Sequence, residues 1–350
     1  MRVLIVLDYR GQFWLKTTHK EANYDLDLLV DSFRALGYPP ELTTFSQLRF
    51  DGRSYADTAV VYQSTQDDGL LYKSYIEDVL LGLKLGGATL VPDFHYFRAH
   101  HNKVFMEILR RVSGLEEIQR PNSRWFGTYE EYSSALDTLG DGRLVFKLSD
   151  GDQSKHVRLL NSTAEKLRIP RRLSWTFNPY FWLVDKIKPF MKGTYPGYRH
   201  RSDRRRKFIV QDFISGLDGD YKVLVFADKY YVLHRKNREN DFRASGSGLF
   251  SYQRQLPTGL LDFAKTVFDF FKVPFISMDV AMKDSHFFLM EFQFVSFGCY
   301  TLEKSQFRFT RRNDEWVVVE GESVLEREFA ASVVKHLERS ASLEVRSTCV

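Results

Sequence analysis

Cysteine is scarce in this chain: Cys299 and Cys349 are the only two among 350 residues. Neither has a second Cys or a His at metal-ligand spacing, so neither a disulfide scaffold nor a zinc site is expected, and a reducing, cytoplasmic compartment is the default. Long apolar runs are missing too. No window reaches eighteen uncharged apolar residues, which argues against a membrane span. The opening run, residues 3–7, meets Asp8 at once; it is too short for a signal peptide and reads as a buried strand. There is no internal repeat and no low-complexity tract. Neither sign of charge dominates, since 50 Lys plus Arg against 45 Asp plus Glu leaves +5, which says little about partners. What is present in quantity is apolar: 43% hydrophobic and 15% aromatic residues, the composition of a soluble globular protein with an ample core.

The patterning gives an order of elements. Residues 3–7, 58–62 and 88–91 read as strands, and residues 24–36 and 72–85 as helices, the first with Leu26, Leu29, Val30, Phe33 and Leu36 at helical spacing and Gly37 as its stop. Strands alternating with helices predict a parallel sheet with right-handed crossovers, hence an α/β domain over residues 1–100. Helices are expected at 103–113, 129–139, 260–271 and 323–339. Strands are expected at 144–148, 208–214, 221–226, 230–234, 275–282 and 287–292, with a hairpin over 307–319. Residues 155–207 read as a long irregular insert, unusually aromatic from Trp175 to Met191. Arg199, Arg201, Arg204, Arg205, Arg206 and Lys207 follow it.

The chemistry concentrates near the end of this order. Asp279 stands in one apolar strand, and Glu291 and Gln293 stand in the next. Oxygen ligands on adjacent strands suit Mg²⁺, which takes one or two carboxylates and completes its shell with substrate phosphates. Burying Glu291 in so apolar a run without a positive partner costs several kcal/mol by the usual measure of an unpaired charge; a buried salt bridge to a neighbouring Lys or Arg answers that need as well as a metal does. Lys147 ends the strand Leu144-Val145-Phe146, where its ammonium could meet an anion. Arg235 and the stretch from Asp241 through Arg243 to Gly248 pair cations with small flexible residues, as phosphate oxygens require.

Together these parts resemble the ATP-grasp superfamily over residues 88–298, the group of glutathione synthetase, D-alanine:D-alanine ligase and the ribosomal-protein glutamate ligases. The resemblance implies a Rossmann-like domain at 1–100 followed by two lobes with antiparallel sheets. The first lobe, 101–210, carries the insert at about 155–207; the second, 211–350, carries the metal site and the C-terminal hairpin and helix. It implies that Lys103 and Lys147 contact nucleotide phosphates and that Gln211, Asp212, Phe213 and Ile214 form the adenine hinge. Lys222, Arg235 and Arg243 would meet the transferred phosphoryl group, and Asp279, Glu291 and Gln293 would hold Mg²⁺ or Mn²⁺. Gln293 stands where Asn is commoner, and the loop from Ser149 to Lys155 has a single glycine, Gly151, where the family often has several.

The activity implied is an ATP- and Mg²⁺-dependent carboxylate–amine ligase working through an acyl phosphate on small-molecule or peptide substrates. A phosphotransferase on the same fold and a non-catalytic nucleotide binder are the alternatives. Nothing in the nine histidines has the spacing of a triad, and His95, His100 and His101 read as packing. A nucleic-acid partner is disfavoured, because the aromatics bunch ahead of the arginines rather than interleaving with them. The basic cluster reads as a solvated loop or as a contact for an anionic or lipid-linked substrate, and homo-oligomerisation is compatible with the sequence.

Overall fold

The computed structural model describes residues 1–14, 24–52, 54–150, 156–239, 243 and 248–348. The chain forms two compact units, a larger one of Met1–His100 with Leu217–Val350 and a smaller one of His101–Gly216. The larger unit begins with β1 (Arg2–Leu7), α1 (Leu26–Ala35), β2 (Glu41–Thr44), β3 (Thr58–Val61), α2 (Leu71–Leu85), β4 (Thr89–Val91) and α3 (Phe94–Ala99). The smaller unit contains α4 (Lys103–Ser113), β5 (Ser123–Phe126), α5 (Tyr129–Ser134), β6 (Leu144–Leu148), β7 (Val157–Leu160), α6 (Thr163–Leu173), α7 (Pro179–Lys192) and β8 (Phe208–Asp212). The larger unit resumes with β9 (Gly219–Phe226), β10 (Lys229–Lys236), β11 (Phe250–Ser251), α8 (Leu260–Phe271), β12 (Phe275–Lys283), β13 (His286–Gln293), α9 (Tyr300–Glu303), β14 (Phe307–Arg312), β15 (Glu315–Glu320) and α10 (Leu325–Thr348).

The larger unit has two sheets. The first is parallel, in the order β2-β1-β3-β4. Its central strands β1 and β3 are buried apolar runs because helices cover them, and Val3, Ile5, Leu29, Phe33 and Val61 are essentially sealed from solvent. Asp25 caps α1 by accepting from Leu28 N at 3.0 Å, and Asp27 and Arg34 suit the positive and negative ends of the helix. The second sheet is antiparallel, β13-β12-β9-β10-β14-β15 with β11 paired to β10. Phe226, Phe275, Phe329 and Val333 join one of its faces to the first sheet's core, each such burial contributing about 1.5–3 kcal/mol.

The smaller unit is one antiparallel sheet, β5-β8-β6-β7. Leu144, Phe146, Leu148, Phe208 and Val210 alternate along its strands to fill one face, against Phe126 and Tyr132. The expectation of an irregular stretch over 155–207 is corrected here: β7, α6 and α7 lie within it. Ser162 accepts from Glu165 N, and Asn178 accepts from Phe181 N ahead of Pro179, a regular start for each helix. Pro170 and Pro189 sit inside these helices; each removes a backbone donor, the cue that normally ends a helical reading. Among the described residues no helix is long and apolar enough to cross a membrane.

Candidate functional site

On the second sheet of the larger unit, strand register puts the chemistry-bearing residues in rows. Lys222 of β9 lies opposite Asp279 of β12, and Asp279 lies opposite Glu291 of β13. One step along, Ser277 faces Gln293, and Asp220, two residues before Lys222, faces Arg235 of β10. Opposed residues of an antiparallel pair, and residues two apart, project to the same face. That face therefore carries Asp220, Lys222, Arg235, Ser277, Asp279, Glu291 and Gln293. The register shifts between Asp279 and Val280, a bulge of the kind that re-aims a side chain.

The charges on this face are shared unevenly. The Arg235 guanidinium grips Asp220 with both arms, Nε to Oδ1 at 2.6 Å and Nη2 to Oδ2 at 2.7 Å, and its Nη2 also reaches Asp279 Oδ2 at 2.8 Å. Lys222 Nζ donates to Ser277 Oγ at 3.0 Å and stands 3.6 Å from Asp279 Oδ1, an ion-pair distance too long for a hydrogen bond. Asp279 Oδ1 is buried without a hydrogen-bond partner. Gln293 Nε2 donates to Glu291 Oε1 at 3.2 Å. Burial pushes the Asp279 carboxyl up, but the Arg235 guanidinium and then the Lys222 ammonium outweigh it and hold the group below its ordinary range. Asp220 goes the other way: burial, then the neighbouring Asp279 charge, push it up to about 6 against the pull of Arg235. Two cations, Lys222 and Arg235, and three carboxylates, Asp220, Asp279 and Glu291, therefore share this face.

In the smaller unit, Lys147 of β6 and Gln211 of β8 project away from the phenylalanine core. Lys147 Nζ donates to Gln211 Oε1 at 2.8 Å, and Gln211 Nε2 donates to Ser123 Oγ of β5 at 2.9 Å, a chain that fixes the amide's orientation. Gln211 is buried. Asp212 is exposed, and its N–H donates to Asn122 O; Phe213 and Ile214 follow, half-buried, with the Arg143 guanidinium 4.5 Å over the Phe213 ring. Lys103 is buried in the first turn of α4, and its N–H donates to Ser149 O at 3.0 Å. Asn102, the cap of that helix, accepts from Lys207 Nζ at 2.9 Å.

Among the remaining candidates, Arg243 is half-buried. Its neighbours Asp241, Phe242, Ala244, Ser245, Gly246 and Ser247 lie outside the described residues, as do Gly151, Asp152, Gln153, Ser154, Lys155 and Cys349. The basic cluster divides: Arg201 pairs with Asp185 at 2.7 Å and covers the Phe181 ring, and Arg206 pairs with Asp150 at 3.3 Å. His95 Nδ1 lies 2.7 Å from Asp93 Oδ1, which also takes Lys84.

No family model matches the sequence, and no curated protein sequence matches it. Solved structures do. D-cycloserine synthetase DcsG superposes with a TM-score of 0.56 at 13% identity, over 96% of this chain and 99% of that one. The ATP-grasp ligase PsnB, complexed with minimal precursor, Mg and ADP, gives 0.51 at 13%, over 95% and 96%. The macrocyclase MdnC, bound with the precursor peptide MdnA from Microcystis aeruginosa MRC, gives 0.50 at 11%, over 96% and the whole of that chain. The chain has the ATP-grasp fold.

On this ATP-grasp fold, two contributors escaped the sequence reading. Asp220 was visible only as one charge in Asp-Tyr-Lys-Val, and its partner is set by strand register. Gly219 is the first residue of β9, where any Cβ would collide with the carbonyl oxygen of Arg235. The close approach that lets Asp220 and Arg235 pair needs glycine there.

Proposed function

We propose that the chain is an ATP- and Mg²⁺-dependent carboxylate–amine ligase, with Mn²⁺ as a substitute ion, that joins a carboxylate to an amine through an acyl phosphate and releases ADP and phosphate. The observation that carries the reading is the polar face of the larger unit's antiparallel sheet. Asp279 has a buried oxygen with no hydrogen-bond partner, Glu291 lies directly opposite, and an amide stands two residues on. Two like charges facing each other across a strand pair are unfavourable unless a cation joins them. Two carboxylates and an amide oxygen are a donor set that Mg²⁺ accepts when phosphates complete its shell. Among the described residues no group of three or more His, Cys, Asp or Glu side chains could hold a metal ion, so the amide has to be part of the set.

In this reading Asp279, Glu291 and Gln293 hold the ion, which when bound neutralises phosphoryl oxygens as charge builds on them. Arg235 acts by fixing Asp279 Oδ2 in place, and Lys222 lies beside the other oxygen. Lys103 and Lys147 bind nucleotide phosphates, Gln211 to Ile214 receive the adenine, and Arg243 offers a fork to the transferred phosphoryl group. A cation in the first turn of a helix opposes the macrodipole, so Lys103 at the start of α4 makes electrostatic sense when an anion faces it. The carboxylate substrate attacks the γ-phosphoryl group and the amine displaces phosphate from the resulting anhydride; no protein nucleophile takes part. PsnB and MdnC were solved with precursor peptides, which supports a peptide among the substrates to try first.

The test is ADP release measured across a panel of amino acids, amines and peptides, with and without Mg²⁺. Release that needs both Mg²⁺ and an amine supports the ligase; phosphate left on the carboxylate substrate with no amine required makes the protein a phosphotransferase instead. ATP binding that never leads to ADP with any substrate pair, and ignores Mg²⁺, overturns both.

A further inference from the structure

The smaller unit contains a cavity, and none of its lining residues belongs to the proposed nucleotide set. It has a volume of about 560 Å³ and is walled by Arg168, Arg171, Arg172, Arg204, Trp175 and Tyr129 with two aliphatic side chains. That is the size of a small-molecule site, typically about 300–1,000 Å³. Three of the arginines come from one face of α6, at spacings of three and four residues. The fourth comes from the segment before β8, which backbone hydrogen bonds hold in place: Tyr129 N donates to Arg204 O and Arg206 N donates to Ser174 O, both at 3.0 Å.

Four guanidiniums face one cavity with no carboxylate in its wall. None of the four has an ion pair or side-chain hydrogen bond among the described residues, and Arg204 Nε is buried with no partner. Arg171 and Arg172 lie in the last turn of α6, where cations suit the helix dipole. That accounts for two of them but not for Arg168, nor for Arg204, which reaches the cavity from another element. Arg168, Arg171 and Arg172 are solvent-exposed, where their repulsion is screened, so the costlier feature is the buried Arg204 Nε without a partner; an anion held among the four relieves it. Trp175, half exposed and stacked on Phe177 at 5.4 Å between centroids and 28° between planes, adds a fixed flat apolar wall.

We propose that this cavity binds a small phosphate ester bearing a flat ring, its phosphoryl oxygens on the guanidinium forks and its ring against Trp175. Arginine is the side chain whose planar fork matches phosphate with two hydrogen bonds, and ring stacking on an aromatic face is the natural use of the indole.

The probe is phenyl phosphate, with inorganic phosphate as the ringless comparison, titrated calorimetrically into the whole chain at low salt. One equivalent should bind, with phenyl phosphate at least about tenfold tighter than phosphate. Arg204→Gln and Arg168→Gln should each weaken phenyl phosphate about tenfold, the effect of removing one charge-assisted contact. Trp175→Leu should remove most of the preference for the ring. Lys147→Ala should leave this binding unchanged, which separates the cavity from the proposed nucleotide site. Binding that survives Arg204→Gln and Arg168→Gln but is lost in Lys147→Ala overturns the proposal, as does equal affinity for the two probes or no binding to the wild-type chain at millimolar concentration. Far-ultraviolet circular dichroism of each variant confirms that it is folded, and two arginines on different elements keep the test intact if one substitution disturbs the structure.

Discussion

Two buried ion-pair systems in this chain use the same side chains and end differently. In the smaller unit, Glu107 and Arg110 of α4 are completely sealed from solvent. Arg110 Nε and Nη2 donate to the two oxygens of Glu107 at 2.9 and 3.3 Å, and Nη1 donates to Ile118 O at 2.8 Å. One guanidinium meets one carboxylate and the remaining arm finds a carbonyl. In the larger unit, Arg235 is divided between Asp220 and Asp279, Lys222 stands too far from Asp279 to hydrogen-bond, a third carboxylate faces the second, and one oxygen is left without a donor. The first system closes on itself and fixes α4 to the chain that follows it. In the second, one guanidinium is divided between two carboxylates and an oxygen of Asp279 has no hydrogen-bond donor, so donors and acceptors are not matched one to one. Burial alone does not tell a structural pair from a site; the matching of donors to acceptors does.

The sharpest way to break this comparison is to remove one acid from each system. Glu107→Ala leaves an arginine charge buried and half its donors empty, which should cost about 3–5 kcal/mol of stability. Urea unfolding should show a lowered midpoint with unchanged slope, and the protein that remains folded should turn over normally. Glu291→Ala should do the reverse. Removing a metal ligand should lower turnover by about 10²- to 10³-fold while the chain stays folded. If Glu291→Ala unfolds the chain and the wild type has no Mg²⁺ dependence, the second system is a structural salt bridge like the first.

Lys147→Ala carries the same logic into the smaller unit's polar chain. Lys147 donates to Gln211, which is itself held by Ser123, so the loss removes a positioned cation and frees one end of the amide. ATP affinity should fall by about 2–4 kcal/mol, the range for losing one partner of a buried charged contact. Equilibrium binding measured by calorimetry decides it: an affinity within a factor of two of wild type removes Lys147 from the nucleotide set.

How legible these systems are in the sequence differs for physical reasons. Asp279 and Glu291 stand out because each is a lone acid in an apolar strand, and adjacent strands joined by a short turn are expected to pair. Their opposition is then a matter of counting along a hairpin. Asp220 could not be matched to Arg235 in that way, because the pairing depends on the β9–β10 register and on Gly219 admitting the Arg235 carbonyl. Glu107 could not be singled out at all: α4 has clear boundaries, but periodicity does not say that a glutamate on its inner side meets an arginine one turn on. The helices of strong amphipathic pattern, α4 and α8, keep the bounds that spacing predicts. In α6 and α7 the interior prolines hid helices that good caps support. In the parallel sheet at the N-terminus β1, β3 and β4 were legible as apolar runs alternating with helices, whereas β2, Glu-Leu-Thr-Thr on the exposed edge, carries no such run and was not.

The smallest effect expected is one of pH, and it concerns Asp220. Its carboxyl is pushed up to about 6 by burial and by the charge of Asp279, whereas an unfolded aspartate titrates near 3.9. Between those values the folded chain holds a proton that the unfolded chain has released, so stability falls as pH rises through the window. Asp279 is held below its ordinary value; its stabilisation is complete above about pH 4 and is lost only on further acidification, so it does not alter the balance between pH 5 and 7. Compared with Asp220→Asn, which cannot titrate, the wild type should lose about 1 kcal/mol between pH 5 and 7, read from urea midpoints of both proteins at the two pH values. Parallel behaviour of the two would mean that Asp220 does not feel Asp279, and that the two carboxylates do not share one guanidinium in solution. Mg²⁺ sharpens the test. A cation held by Asp279 and Glu291 screens the field that raises Asp220, so saturating Mg²⁺ should flatten the wild-type slope towards that of Asp220→Asn, and a slope indifferent to the ion would place the metal elsewhere.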